Sequence, residues 1–234
     1  MTLLRVIVGI LGNVTAIFLF GAPIITFTRV IRNKSTEEFS CIPYLISLLA
    51  CVSYTWYSTP VISYGWENAP LFSIDGIGGL LELSFIIIYL RFAPVKEKIR
   101  IGAMFALLIV TSIVMILVSI FVFHDHPHRK ILIGSVAIVG ATSMYGSPLV
   151  AMKTVIRTKS VEFMPFYLSL FTFVASTLWA IYGLLDLDFF IATPNMIGSV
   201  LGIVQLVLYF KYKKKEGLNE GFVYWDRERM EAQT

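Results

Sequence analysis

Four residues at matched places in the two halves of this 234-residue chain carry the side chains best suited to hold a ligand. Tyr54 and Trp179 stand 125 residues apart, and Asp75 and Asn195 occupy similar settings, Ile74-Asp75-Gly76-Ile77-Gly78 and Pro194-Asn195-Met196-Ile197-Gly198. Aromatic faces stack on flat C–H surfaces, while a carboxylate and an amide exchange hydrogen bonds with groups on a ligand's rim. Taken singly, Tyr54 and Trp179 could equally face lipid or the membrane interface. Leu19 and Met144 form another 125-residue pair, each four positions before a proline, where packing residues could equally stand. Bond-making chemistry finds no comparable material. An enzyme would need a nucleophile–base pair or a ligand cluster, and the only histidines, His124, His126 and His128, alternate within one short loop. Alternate histidines can bind a metal, but a solvated loop is the better reading. We expect no enzyme activity, no metal and no cofactor.

These residues ride on a duplicated framework. From Ala22 the chain reads Ala-Pro-Ile-Ile-Thr-Phe-Thr-Arg-Val-Ile-Arg-Asn-Lys-Ser-Thr-Glu; from Ser147 it reads Ser-Pro-Leu-Val-Ala-Met-Lys-Thr-Val-Ile-Arg-Thr-Lys-Ser-Val-Glu. Pro23 thus pairs with Pro148, Arg32 with Arg157, Lys34 with Lys159, Ser35 with Ser160 and Glu37 with Glu162. Both copies then reach a proline–aromatic pair, Pro43-Tyr44 and Pro165-Phe166. Two copies of one unit in an apolar chain suggest half-cages facing each other across a shared cavity, a common construction among transporters.

Hydrophobic residues make up 57% of the chain and charged residues 15%, against roughly 25% charged in a soluble domain. The charges cluster, leaving seven apolar windows long enough to cross a bilayer: residues 5–28, 42–63, 70–91, 101–123, 131–152, 165–186 and 190–211. A soluble fold of this size cannot hide so much apolar surface, so the chain is an all-α integral membrane protein. Of its 19 Lys and Arg residues, 14 follow spans one, three, five and seven and Arg227 and Arg229 lie in the tail, against Arg5, Arg129 and Lys130 on the other side. By the positive-inside bias the N-terminus is outside and the C-terminus cytosolic. The net charge of +4 then reports topology and contact with anionic lipid, not nucleic acid.

Span one could be read as a signal peptide, but its repeat partner, span five, is internal and cannot be cleaved. Cys41 and Cys51, about 15 Å apart on a helix, are too distant to bridge. The triplets Asn13-Val14-Thr15 and Asn33-Lys34-Ser35 fall in the membrane and the cytosol, where glycosylation does not occur. Three spans that start outside end inside, so a second unit of the same orientation needs one extra crossing. Span four, which has no repeat partner, is that connector. The expected layout is three plus one plus three: residues 1–92, a linker over 93–128, a second repeat over 129–212, and a flexible cytosolic tail over 213–234.

Gly9-Ile-Leu-Gly-Asn13, Ala22-Pro23, Lys34-Ser-Thr-Glu37, Ile42-Pro-Tyr44, Trp56-Tyr57, Lys159-Ser-Val-Glu-Phe-Met-Pro-Phe166, Trp179, Tyr182-Gly183 and Pro194-Asn195 together resemble the eukaryotic SWEET sugar transporters, most closely the plant members, over roughly residues 5–212. Parallel three-helix repeats are a known property of that family. The resemblance implies passive, bidirectional movement of mono- or disaccharides by alternating access. It places Tyr54, Asp75, Trp179 and Asn195 on the central pocket, where a pyranose would meet aromatic faces and a hydrogen-bonding rim. It makes Pro23, Pro43, Pro148 and Pro165 the pivots and inner gate, and Tyr57 with Asp188 the outer gate, a phenol bonding a carboxylate. Asp186 and Asp188 could equally be solvated loop acids. Leu19 and Met144 fall on pocket-lining positions where bulk accompanies hexoses and a smaller Val accompanies sucrose, so glucose-like substrates are expected. The plasma membrane is the expected location, with vacuolar or other endomembranes as alternatives; self-association is left open.

Asp75 departs from the family, which usually has Asn there. A carboxylate near mid-membrane is costly, so Asp75 either accepts hydroxyls in a wet pocket as Asn would, or titrates and makes transport pH-sensitive. Glu82, seven residues on, reads as bonded to a neighbouring helix. Gly76, Gly78, Gly79, Gly198 and Gly202 read as small faces for close helix packing. A seven-span receptor would lack the repeat, and a retinal protein would need a lysine in the middle of its last span, whereas Lys211 lies at the end. The surviving alternative is an amino-acid-type or proton-coupled carrier on the same scaffold, for which no mid-membrane cation answers a substrate carboxylate.

Overall fold

The Pro23 and Pro148 strings bend and then end a helix, and the reasons are local. The computed structural model describes residues 2–162 and 164–231, with side chains as far as Lys213. Among these residues are nine α-helices and no strand: α1 (Leu3–Gly21), α2 (Pro23–Asn33), α3 (Ile42–Tyr57), α4 (Ala69–Phe92), α5 (Val95–Phe121), α6 (His126–Ser143), α7 (Gly146–Thr158), α8 (Phe166–Leu184) and α9 (Phe189–Glu231). Pro23 has no N–H for the carbonyl of Leu19, which takes that of Ala22 instead at 3.2 Å; Pro148 fails the carbonyl of Met144 in the same way. Each break divides one long crossing, Leu3–Asn33 and His126–Thr158, so nine helices make seven spans. Pro43 and Pro165 are placed differently. They stand in the first turn of α3 and at the N-cap of α8, where a missing N–H leaves no helical acceptor unmet.

Both strings then close alike. Lys34 (φ 50°) and Lys159 (φ 61°) adopt left-handed backbone as C-caps, returning their N–H groups to Val30 and Val155. The hydroxyls of Ser35 and Ser160 accept the amides of Glu37 and Glu162. The Lys-Ser-x-Glu pattern is therefore a helix stop followed by a hydroxyl-bonded turn. Span two ends at Tyr57, earlier than residue 63. Ser58 and Thr59 turn their hydroxyls onto the carbonyls of Tyr54 and Trp56, and Pro60 disfavours helix at the residue before it. The α9 backbone continues past residue 213 to Glu231. The tail expected over 213–234 therefore begins as its extension, while its side chains after Lys213 and its last three residues lie outside the described residues.

Within each half the spans pack in the order one, three, two: α1 on α4 on α3, and α6 on α9 on α8. Across the halves α1 meets α8 and α3 meets α6. The linker α5 lies mainly against α3, with Trp56 Nε1 donating to Ser119 at 3.0 Å. This is three plus one plus three. We call the membrane face bearing the N-terminus the N-terminal face and the opposite one the basic face. Past the breaks, α2 packs on α4 and α7 on α9, each within its own half. The halves are thus joined toward the N-terminal face and diverge toward the basic one.

Glycines make the joins close. Phe20 covers Gly78 and Tyr145 covers Gly198, so the residue after Leu19 and the one after Met144 do the same thing in each half. Between halves, the Trp179 indole lies on Gly12, and Gly140 lies on the backbone of Ala50. Phe18 and Phe171 stack across the seam at 4.8 Å. Cys41 and Cys51 are both free and buried.

Candidate functional site

The central layer is built on a second, unbroken proline. Pro194 lies inside α9 and cannot donate to the carbonyl of Phe190, four residues back. Tyr54 of the other half fills that role, its hydroxyl donating to the Phe190 carbonyl at 2.9 Å. Asn195 Nδ2 donates to the Ile191 carbonyl at 2.8 Å, and the Tyr145 hydroxyl donates to the Pro194 carbonyl at 2.6 Å. Three side chains from three spans therefore bond to the carbonyls around this one proline.

Tyr54 and Trp179 are buried in the same apolar cluster, together with Ile74, the neighbour of Asp75. Trp179 also meets Tyr182 edge-on at 5.0 Å. Asp75 is buried in α4, one turn before Gly79, against which Cys51 of α3 packs. About two turns further along α4 toward the basic face, Ser47 Oγ donates to Glu82 Oε1 at 2.8 Å, bonding Glu82 to the neighbouring helix. Leu19 and Met144 stand at the two helix breaks, Leu19 half-buried and Met144 39% exposed. Sequence reasoning passed over Tyr145, although its 125-residue pairing with Phe20 marks it.

The mouth on the N-terminal face is closed by polar bonds between halves. The Tyr57 hydroxyl lies 2.7 and 2.9 Å from the two Asp188 oxygens. Asp188 is buried and also caps α9, accepting the amides of Phe190 and Ile191 at 3.1 and 3.4 Å. It is not a solvated loop acid. Asp186 is exposed yet paired with Arg5 at 2.8 Å. Lys130 Nζ lies 2.7 Å from Glu67 and 4.0 Å from Asp188. Burial raises the Glu67 carboxyl, but bonds from Lys130 and the Tyr64 amide and the charge of Arg5 outweigh it and hold the group below the usual carboxylate value. A cavity of about 190 Å³ opens here, lined by Tyr57, Lys130, Asp186, Asp188 and their neighbours. Arg5, Glu67 and Lys130 escaped sequence reasoning, which counted the cations only for topology. The signal for the two cations was rarity, since that face holds only three of the chain's 19 Lys and Arg residues.

The histidine loop serves the same region structurally. His126 Nδ1 lies 3.0 Å from the Ile62 carbonyl, and His128 lies 2.6 Å from Asp125. Asp125 caps α6 through the His128 amide. The arrangement as a whole offers buried aromatic faces, a carboxyl, an amide and phenols in the middle, beneath a mouth held by bonds that can break and re-form.

Comparison with known proteins bears on what passes through. A family model described as a sugar efflux transporter for intercellular exchange matches residues 6–97 and 131–217, leaving out most of α5. The chain is 56% identical over 215 residues to the bidirectional sugar transporter SWEET3 of Arabidopsis thaliana, covering 92% of this chain and 82% of that one. It is 54% identical over 211 residues to SWEET3b of Oryza sativa subsp. japonica, covering 90% and 84%. A solved structure of a eukaryotic SWEET transporter matches with a TM-score of 0.85 at 40% identity, covering 90% of this chain and 97% of that one.

Proposed function

The chain belongs to the SWEET family of sugar transporters, and on that premise we propose that it carries hexoses, glucose foremost, down their gradient in either direction by alternating access. The supporting observation is the unequal joining of the halves. On the N-terminal face they are tied by Tyr57–Asp188 and by two ion pairs, while past the proline breaks α2 and α7 keep to their own halves. A structure closed at one end and parted at the other is one of the two states that alternating access requires.

In this reading a pyranose lies in the layer of Tyr54, Asp75, Trp179 and Asn195, with ring faces against the aromatics and hydroxyls on the acid and the amide. Pro23, Pro43, Pro148 and Pro165 let the basic-face segments swing, and Tyr57 with Asp188 closes the opposite mouth. Leu19 and Met144 set the width available to the substrate. The lopsided distribution of Lys and Arg orients the N-terminal face outward and the basic face to the cytosol, and the plasma membrane is the proposed location. The test is uptake of labelled glucose, fructose and sucrose into proteoliposomes, with and without a proton gradient. Glucose equilibrating faster than sucrose, at a rate indifferent to the gradient, is expected. Failure to equilibrate any hexose would end the proposal.

A further inference from the structure

The N-terminal face carries three basic residues near its mouth, and two of them are each held by a carboxylate of the opposite half. Arg5, in α1, lies 2.8 Å from Asp186 in the turn between α8 and α9. It also donates to Asn68 Oδ1 at 2.8 Å and places its guanidinium 4.4 Å from the centroid of the Tyr182 ring. Only 2% of it is exposed. Lys130, at the start of α6, lies 2.7 Å from Glu67 in the loop before α4, over the ring of Tyr64. The third cation, Arg129, is occupied by the carbonyls of Phe123 and Val61.

The two pairs run in opposite senses. The first half supplies the cation at Arg5–Asp186 and the anion at Glu67–Lys130, so any parting of the mouth separates both at once. Neither is a freely solvated surface pair. Arg5 is buried, and Lys130 and Glu67 are each about four-fifths covered, so salt screens them less than it would exposed charges. Breaking them returns three largely covered charges to water, Asp186 being already exposed, which offsets most of the lost attraction. A contact of that kind tips an equilibrium without freezing it. We infer that Arg5–Asp186 and Glu67–Lys130 form a crossed ionic clasp that, beside Tyr57–Asp188, sets how often the N-terminal face opens. The inference rests on the alternating-access reading above and assigns Arg5, Glu67, Lys130 and Asp186 a positioning role, not contact with sugar.

The experiment reads the mouth directly. Spin labels at Trp66→Cys and Leu187→Cys, exposed positions on opposite halves, report its width in proteoliposomes once Cys41 and Cys51 are replaced by alanine. Glu67→Gln is expected to raise the longer-distance population about fivefold, the equivalent of one ion pair. Asp186→Asn should raise it further, because it leaves the Arg5 guanidinium without its counter-charge. Glu67→Asp and Asp186→Glu should keep the original distribution, and 1 M salt should shift it in the direction of the neutral variants. Thermal unfolding is followed in parallel. Neutral variants that unfold earlier but leave the distance populations unmoved would show mere glue, and the clasp would be abandoned. Sugar equilibration in the same vesicles is scored separately. Populations that shift while no sugar moves would sink the transport reading and leave the clasp standing.

Discussion

A carboxylate inside an apolar bundle must find a donor, a proton or water, because its bare charge costs about 3 kcal/mol or more at mid-membrane. Asp75 lies one turn from Gly79, against which Cys51 packs, and a thiol is only a weak donor. Asp75→Asn is therefore expected to keep transporting sugar and to lose whatever dependence on external pH the unaltered protein displays. Uptake measured against pH in both decides it, and superimposable profiles would dispose of a titrating Asp75. Tyr57 makes a different kind of bond, neutral phenol to carboxylate, of the charge-assisted class that contributes about 1.5–3 kcal/mol. Tyr57→Phe should shift the mouth toward opening by roughly ten- to a hundredfold, read as faster labelling of a pocket cysteine from the N-terminal face. No change in labelling would mean that Tyr57 packs and does not latch.

Helices here are shaped by missing N–H groups and by missing Cβ atoms. Helix α9 runs on through Pro194, with Tyr54, Asn195 and Tyr145 attending to the carbonyls around it. Tyr145 reaches its place only because Gly198 lies beneath it; a Cβ there would collide with the Tyr145 hydroxyl. Gly198→Ala should therefore destabilise the protein by about 1–3 kcal/mol, whereas Gly76→Ala, where a Cβ meets nothing within 4 Å, should be neutral or slightly stabilising. Thermal unfolding of the two purified variants compares them, and equal melting would refute the packing account. The left-handed C-caps invite the opposite change. Lys34→Gly removes the steric cost of a side chain in that conformation, about 1 kcal/mol, and should raise the unfolding temperature.

At the scale of the whole molecule, width and closure belong to the pairing of halves. Met144→Val should raise sucrose uptake relative to glucose in proteoliposomes, and an unchanged ratio would remove Met144 from the size filter. Much of the plan was legible before folding. Seven apolar windows, a 125-residue repeat and one-sided charge specify crossings, duplication and an odd connector, because hydrophobic length and periodicity are local properties that the bilayer reads directly. The helix stops were only partly legible: the windows ended at residues 28 and 152, whereas α2 and α7 run to Asn33 and Thr158 before Lys-Ser-x-Glu closes them. Contacts between halves were not. That Tyr54 serves the carbonyl freed by Pro194, that Asp188 is a buried cap while Asp186 pairs with Arg5, and that Lys130 seeks Glu67 are facts of apposition. Residues more than sixty positions apart come within 3 Å only when two rigid bundles dock, and no spacing along one strand of sequence encodes the angle at which they do so.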